Sequence, residues 1–199
     1  RFTEPPGIGS LIAAEIGNLV LYASITEVTA TTFVMVDALG REDEENTQEY
    51  CDPTIEFPTA DFTGSPHFRI EGGAVSVLNL GEIPLTVLDM VIEGDFAADL
   101  SYFGGGTFTG IVDTRPLDEA FFDGELGTFC TTLASLGVTC EECSGGEPGE
   151  YCVPVAVDSV SAELAPLSVV AIEGTDCLGC VAGVPDDASQ TCEPDPRAP

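Results

Sequence analysis

Apolar and polar side chains alternate through a series of short runs: NLVLYASITEV (18–28), TTFVMVDAL (31–39), HFRIEGGAVSVLNL (67–80), PLTVLDMVIEGDFAADLSY (84–102), GTFTGIVDT (106–114) and CVPVAVDSVSAELAPLSVVAIEG (152–174). A period of two is the mark of a strand with one buried face, and each run holds one or more strands broken at glycine or acidic turns. Short strands with Gly and Pro punctuation predict a mainly β fold, an antiparallel β-sandwich or barrel-like body. One short helix is expected over 125–136, where Leu126, Phe129, Cys130, Leu133 and Leu136 recur at helical spacing and Gly137 offers a left-handed stop. That stripe reads as core rather than as a binding face. A further helical turn is expected around LDEAFF (117–122). The glycines of YFGGGTFTG (102–110) lack the lysine of a phosphate loop and read as a hairpin turn.

The cysteines add a second constraint. Cys51, Cys130, Cys140, Cys143, Cys152, Cys177, Cys180 and Cys192 form an even set, crowded toward the end of the chain. Small loop-rich segments need covalent staples where apolar burial is thin, so structural disulfides and an oxidising compartment are expected. Two C-x2-C pairs, Cys140/Cys143 and Cys177/Cys180, match a four-thiolate zinc site superficially. The segment between them exceeds the usual ribbon spacing of about 15–20 residues, and the other four cysteines would be left free. A redox C-x2-C needs a positive environment, whereas TCEEC supplies negative charge. Eight cysteines allow on the order of a hundred pairings. Proximity favours Cys143 with Cys152 across SGGEPGEY.

Charge excludes whole classes of partner. Asp and Glu number 35 against five cationic side chains and one histidine, a formal net charge of −30. Nucleic-acid binding requires cations that displace counterions from phosphate, so no nucleic-acid partner is expected, and anionic lipid surfaces are excluded by the same sign. Glu15 and Asn18 interrupt LIAAEIGNLVLYASI, so no membrane span of about 18 apolar residues is expected. An acidic surface suits high salt, colloidal repulsion or divalent cations. The expected cofactor, if any, is calcium, held by hard oxygen ligands in the polar segment 40–66: Asp37, Glu42, Asp43, Glu44, Glu45 and Asp52, with Asp186 and Asp187 as a second oxygen source. No stretch fits an EF-hand loop.

Side chains for catalysis are sparse. His67 is the one imidazole, without a recognisable nucleophile signature, and Asp113 and Arg115 in VDTRP would share a strand face as a structural ion pair or an anion anchor.

The stretch MVIEGDFAADLSYFGGGTFTGIVDTRPLDEAF followed by CTTLASLGVTCEECSGGEPGEYCV resembles uncharacterised exported, cysteine-containing, lipoprotein-like bacterial proteins over residues 88–160. The resemblance implies export and carries no activity. The chain has no leading cysteine for lipid attachment, so no lipid anchor is expected, and the opening RFTEPPGIGS suits a processed, exported product.

Two regions are expected, a β-rich body over 1–120 and a helix plus cysteine-rich β region over 121–199, packed as one unit. The expected function is a non-enzymatic extracellular structural protein, a self-assembling homopolymer subunit of a surface fibre or layer. The opening segment, with no cysteine to tether it, would pair with a neighbouring copy. A calcium-dependent surface adhesion module is the alternative, and a carboxylate-dependent hydrolase the weaker one.

Overall fold

The computed structural model describes residues 2–4, 20–41, 46–49, 53–72, 74–80, 83–143 and 149–172. Among them are eleven strands: β1 (Phe2–Glu4), β2 (Leu21–Thr26), β3 (Thr32–Leu39), β4 (Ile55–Glu56), β5 (Ala60–Asp61), β6 (His67–Glu71), β7 (Ala74–Leu80), β8 (Ile83–Phe96), β9 (Tyr102–Asp113), β10 (Glu141–Glu142) and β11 (Glu150–Glu163). Helices α1 (Arg115–Phe121) and α2 (Thr128–Ser135) lie between β9 and β10. The strands form one antiparallel sheet in the order β1-β11-β9-β8-β6-β5-β3-β2, with β10 on β11, β7 on β8 and β4 on β3. The mainly β, antiparallel organisation read from the period-two runs is the one the chain adopts.

The sheet is strongly bent. Strands β3 and β8 are three steps apart, about 14 Å in a flat sheet, yet the rings of Phe33 on β3 and Phe96 on β8 have centroids 5.8 Å apart. Phe33, Phe62, Phe68, Phe96 and Phe103 make a web of mainly edge-on contacts, and Met35, Phe57, Ala60, Ile70, Val87 and Met90 complete the buried core. Edge-on pairs add roughly 0.5–1.5 kcal/mol each beyond area burial.

Bulges let the long strands follow the bend. On β8, Asp89 is the extra residue, with φ 47°, and the pairing shifts between Leu88↔Ile111 and Val91↔Thr109. Gly110 of β9 faces this bulge so closely that a Cβ there would lie 2.4 Å from Val87 Cγ1. The expected turn at the triple glycine is corrected: Gly104, Gly105 and Gly106 lie inside β9. Gly105, at φ 63°, is an unpaired residue of a bulge on β9, and Ser159, also at φ 63°, is a separate extra residue on β11 one step along the ladder. The same freedom that suits glycine to a turn suits it to a bulge. The hairpin turn is 97–101, where Asp99 Oδ1 accepts hydrogen bonds from Ser101 N–H (3.2 Å) and Ser101 Oγ (2.6 Å).

The helix expected over 125–136 is shorter. It starts after Gly127, whose left-handed φ of 83° breaks the run, and Leu126 and Leu136 are 58% and 54% exposed rather than core. Its end is as expected. Gly137 N–H bonds Ala134 O and Val138 N–H bonds Leu133 O, a Schellman closure, with Val138 and Leu133 both buried. The helical turn expected at LDEAFF is α1, which buries Asp118. Its carboxylate accepts from Gly127 N–H (2.8 Å) and Phe129 N–H (2.7 Å), orphan donors at the start of α2.

Two disulfides staple this region. Cys130–Cys140 ties α2 to the approach to β10, and Cys143–Cys152 ties β10 to β11, the pairing that proximity favoured. Closing loops this short removes chain entropy equivalent to roughly 2–3 kcal/mol each. Around the first bridge Cys130, Leu133, Val138, Cys140 and Val153 form a second, small core. Cys51, Cys177, Cys180 and Cys192 lie outside the described residues.

The strand expected to continue past 163 is not present over 164–172. Side chains stand in for a neighbouring strand there. The buried Gln48 amide bonds both Val170 N–H and Val170 O at 2.8 Å, and Thr54 Oγ1 accepts from Ile172 N–H at 3.0 Å.

Asp118→Ala leaves Gly127 and Phe129 N–H without their acceptor. Denaturant melts should show a loss of about 1–3 kcal/mol, and Asp118→Asn, which keeps one acceptor oxygen, should lose less.

Candidate functional site

Strand β11 is 14 residues long and pairs with β9 from Cys152 to Glu163. Its other edge is shared. Cys152 and Glu150 take β10, while Val157 and Ala156 take β1, with Phe2↔Val157 and Glu4↔Ala156 in register. Thr3 Oγ1 donates to Ala156 O at 3.3 Å. The pairing is brief because Pro5 and Pro6 follow Glu4 and have no N–H to give. Among the described residues nothing pairs with this edge beyond Asp158. Residues 2–4 of the opening segment thus pair with β11 of the same chain through the main chain, without a cysteine.

At the other end of the sheet order, β3 carries Asp37. The strand alternates, so Asp37 shares a face with the buried Phe33 and Met35, and its register partners are Ala23 of β2 and Ile55 of β4. Its Oδ1 is buried with no hydrogen-bond partner. Burial disfavours the anion and raises the carboxyl from its ordinary 3.8 to about 7. Of the residues expected to hold calcium, Asp37 alone is described; Glu42, Asp43, Glu44, Glu45, Asp52, Asp186 and Asp187 lie outside the described residues. The acidic composition of 40–52 pointed to Asp37 as a loop neighbour. Its parity with Phe33 and Met35 was the signal that it faces the core.

Asp113 and Arg115 do not share a strand face. Asp113 ends β9 and Arg115 begins α1, and the chain turns at Thr114 so that the guanidinium folds back on the carboxylate. Nε lies 2.9 Å from Oδ1 and Arg115 N–H donates to Oδ1 at 3.0 Å. Burial pushes the Asp113 carboxyl up, but the Arg115 hydrogen bonds and charge outweigh it and hold it below 3.8. Thr114 fixes the turn by donating from N–H (2.9 Å) and Oγ1 (2.7 Å) to Tyr151 O. An open groove beside this pair is lined by Glu119, Asp123 and Leu126.

One carboxylate oxygen of Asp113 also lies within 4.8 Å of the sulfurs of Cys143 and Cys152. Those sulfurs are bonded to each other and offer no thiolate to a metal. Because Cys140 and Cys143 belong to different bridges, this C-x2-C pair is neither half of a zinc ribbon nor a redox dithiol. His67 opens β6, exposed, with Nδ1 3.4 Å from Asp95 Oδ1 across the ladder.

Comparison with known proteins identifies no relative: the chain matches no family, no curated protein and no solved structure. Among the described residues no helix is long and apolar enough to cross a membrane.

Asp113→Asn should cost about 1.5–3 kcal/mol at pH 7 by weakening the charge-assisted bonds to Arg115. A carboxyl held below its unfolded value stabilises above pH 3.8 and loses that contribution as pH falls through its folded value, so melts of the variant and the parent chain should converge below pH 3.8.

Proposed function

We propose that the chain is a non-enzymatic structural protein of the cell exterior, which assembles with copies of itself when β1 of one copy adds to β11 of the next. The observation that carries this reading is the β1–β11 pairing: a three-residue strand, with Thr3 the one described side chain that bonds across it, seated on an edge otherwise unpaired beyond Asp158 among the described residues. Residues 5–19 join β1 to Val20, just before β2 at the far end of the sheet order. A linker of this length spans up to about 50 Å when extended, enough to reach a neighbour.

Exchange recreates the same register between copies, so it gains or loses little contact energy and is a low-cost route to assembly. Each copy would donate at one place and accept at another, a head-to-tail contact that can extend without closing. The disulfides suit an oxidising exterior. With a net charge of −30 the copies repel, so salt or divalent cations should favour growth by screening.

A calcium-dependent surface binding module is the second reading, resting on the density of carboxylates in the sequence of segment 40–66. Melts with calcium and with chelator test it, because a ligand selective for the folded state raises the melting temperature.

Phe2→Cys with Val157→Cys places a thiol pair at matched register. After oxidation in salt, denaturing gels should show a covalent ladder that collapses on reduction. Cross-linking confined to single chains, at every salt and calcium level, would overturn strand exchange.

A further inference from the structure

Whatever β1 does, strand β2 ends the sheet order on the opposite side, and among the described residues it pairs with β3 alone. The pairing runs from Leu21↔Leu39 to Thr26↔Val34 without a shift, so the other edge of β2 presents a regular row of backbone N–H and C=O groups that a further strand can satisfy.

Open edges are ordinarily guarded by charge, proline or a bulge. The free part of β11 carries Asp158, Glu163 and the extra residue Ser159. Strand β7 is uncharged, but its ladder with β8 shifts at Val77 and it lies close to β4. The β2 sequence, LYASIT, has none of these guards: no charge, no proline and no bulge, in a chain of net charge −30. Glu27 follows at φ 49°, a left-handed turn that ends the strand before its first carboxylate.

The exposed side of β2 is also its apolar side. Leu21, Ala23 and Ile25 share one face and are exposed, Leu21 by 51% and Ile25 by 39%, whereas Tyr22 and Ser24 on the other face are half-buried.

We propose that two copies of the chain join β2 to β2, antiparallel, about a two-fold axis through Ala23, so that one sheet continues into the next. Residues directly opposite each other in an antiparallel pair share a face. With Ala23 on the axis, Leu21 of each copy therefore meets Ile25 of the other, and Tyr22 meets Ser24. A shift of the axis by one residue either way breaks both Leu21–Ile25 contacts, and one of the two shifts sets Leu21 against Glu27. Charge selects a second copy as the occupant: chains this acidic repel wherever carboxylates face each other, and β2 against β2 brings none together. Two-fold pairing uses up both edges and closes at two copies, unlike the β1–β11 contact, on which it does not depend.

The test is sedimentation velocity of the intact chain over a concentration series, in salt with chelator, beside hydrogen exchange of the Leu21–Thr26 amides. Pairing predicts a monomer–dimer equilibrium in which the outward amides of β2 exchange about tenfold or more slowly once the dimer forms. Leu21→Glu, at an exposed position, should weaken the dimer by about tenfold, because both Leu21–Ile25 contacts are lost at once. Adding Ile25→Lys sets Glu opposite Lys at both places and should restore it. Adding Val28→Lys instead, with the same net charge but outside the strand, should not. A chain monomeric throughout, a dimer indifferent to Leu21→Glu, equal rescue by Val28→Lys, protection that builds on β11 in place of β2, or β2 amides equally protected at every dilution would each overturn the proposal. If a variant does not fold, the concentration dependence of exchange in the parent chain decides alone.

Discussion

Five phenylalanine rings force this sheet to bend, and most of the remaining architecture accommodates that requirement. Phe33, Phe62, Phe68, Phe96 and Phe103 come from strands and connections that a flat sheet would hold well apart. Their contacts exclude water only if the strands coil. The coil is produced by an extra residue at Asp89, at Gly105 and at Ser159. Gly94 is part of the same accommodation, because a Cβ there would lie 3.0 Å from the Phe68 ring.

Around this core Arg69 and Arg115 are bound locally. Arg69 bonds Glu71 at 2.7 Å and pairs with Glu93 across the ladder, while Arg115 clasps Asp113. Local neutralisation of so few cations leaves the acidic surface unopposed, and a chain carrying that much negative charge stays dispersed unless salt screens it or main-chain hydrogen bonds supply attraction that charge does not. An unpaired strand edge is a place where such attraction is available.

Much of the fold was legible because side-chain parity repeats over long stretches: β2, β3, β6 and β7 fall within the period-two runs, and β8, β9 and β11 overlap them over most of their length. Strands of two or three residues, such as β4, β5, β10 and β1, fall below any periodic window and exist because a longer neighbour offers them an edge. The glycine triplet was misplaced because a bulge and a turn both need a left-handed residue, and only the pairing partner distinguishes them. Leu126 sat at the right helical spacing, yet Gly127 had already ended the periodic segment. The candidate interface was still less legible. Its contacts are mainly those of the main chain, which any sequence without proline can make. The Asp118 cap likewise joins residues nine and eleven apart through carboxylate geometry that no motif encodes.

The bridge at Cys152 has a consequence for phasing. In an antiparallel ladder, slipping by one residue turns every side chain to the opposite face, and β11 carries the landing place for β1 at Ala156 and Val157, a few positions beyond its covalent anchor. Cys152 tied back to Cys143 holds β10 on one edge of β11, while the long ladder with β9 fixes the phase of the other. Any strand docking on the free part of β11 would therefore meet the same rung in every molecule, and a series of such dockings would inherit a uniform spacing.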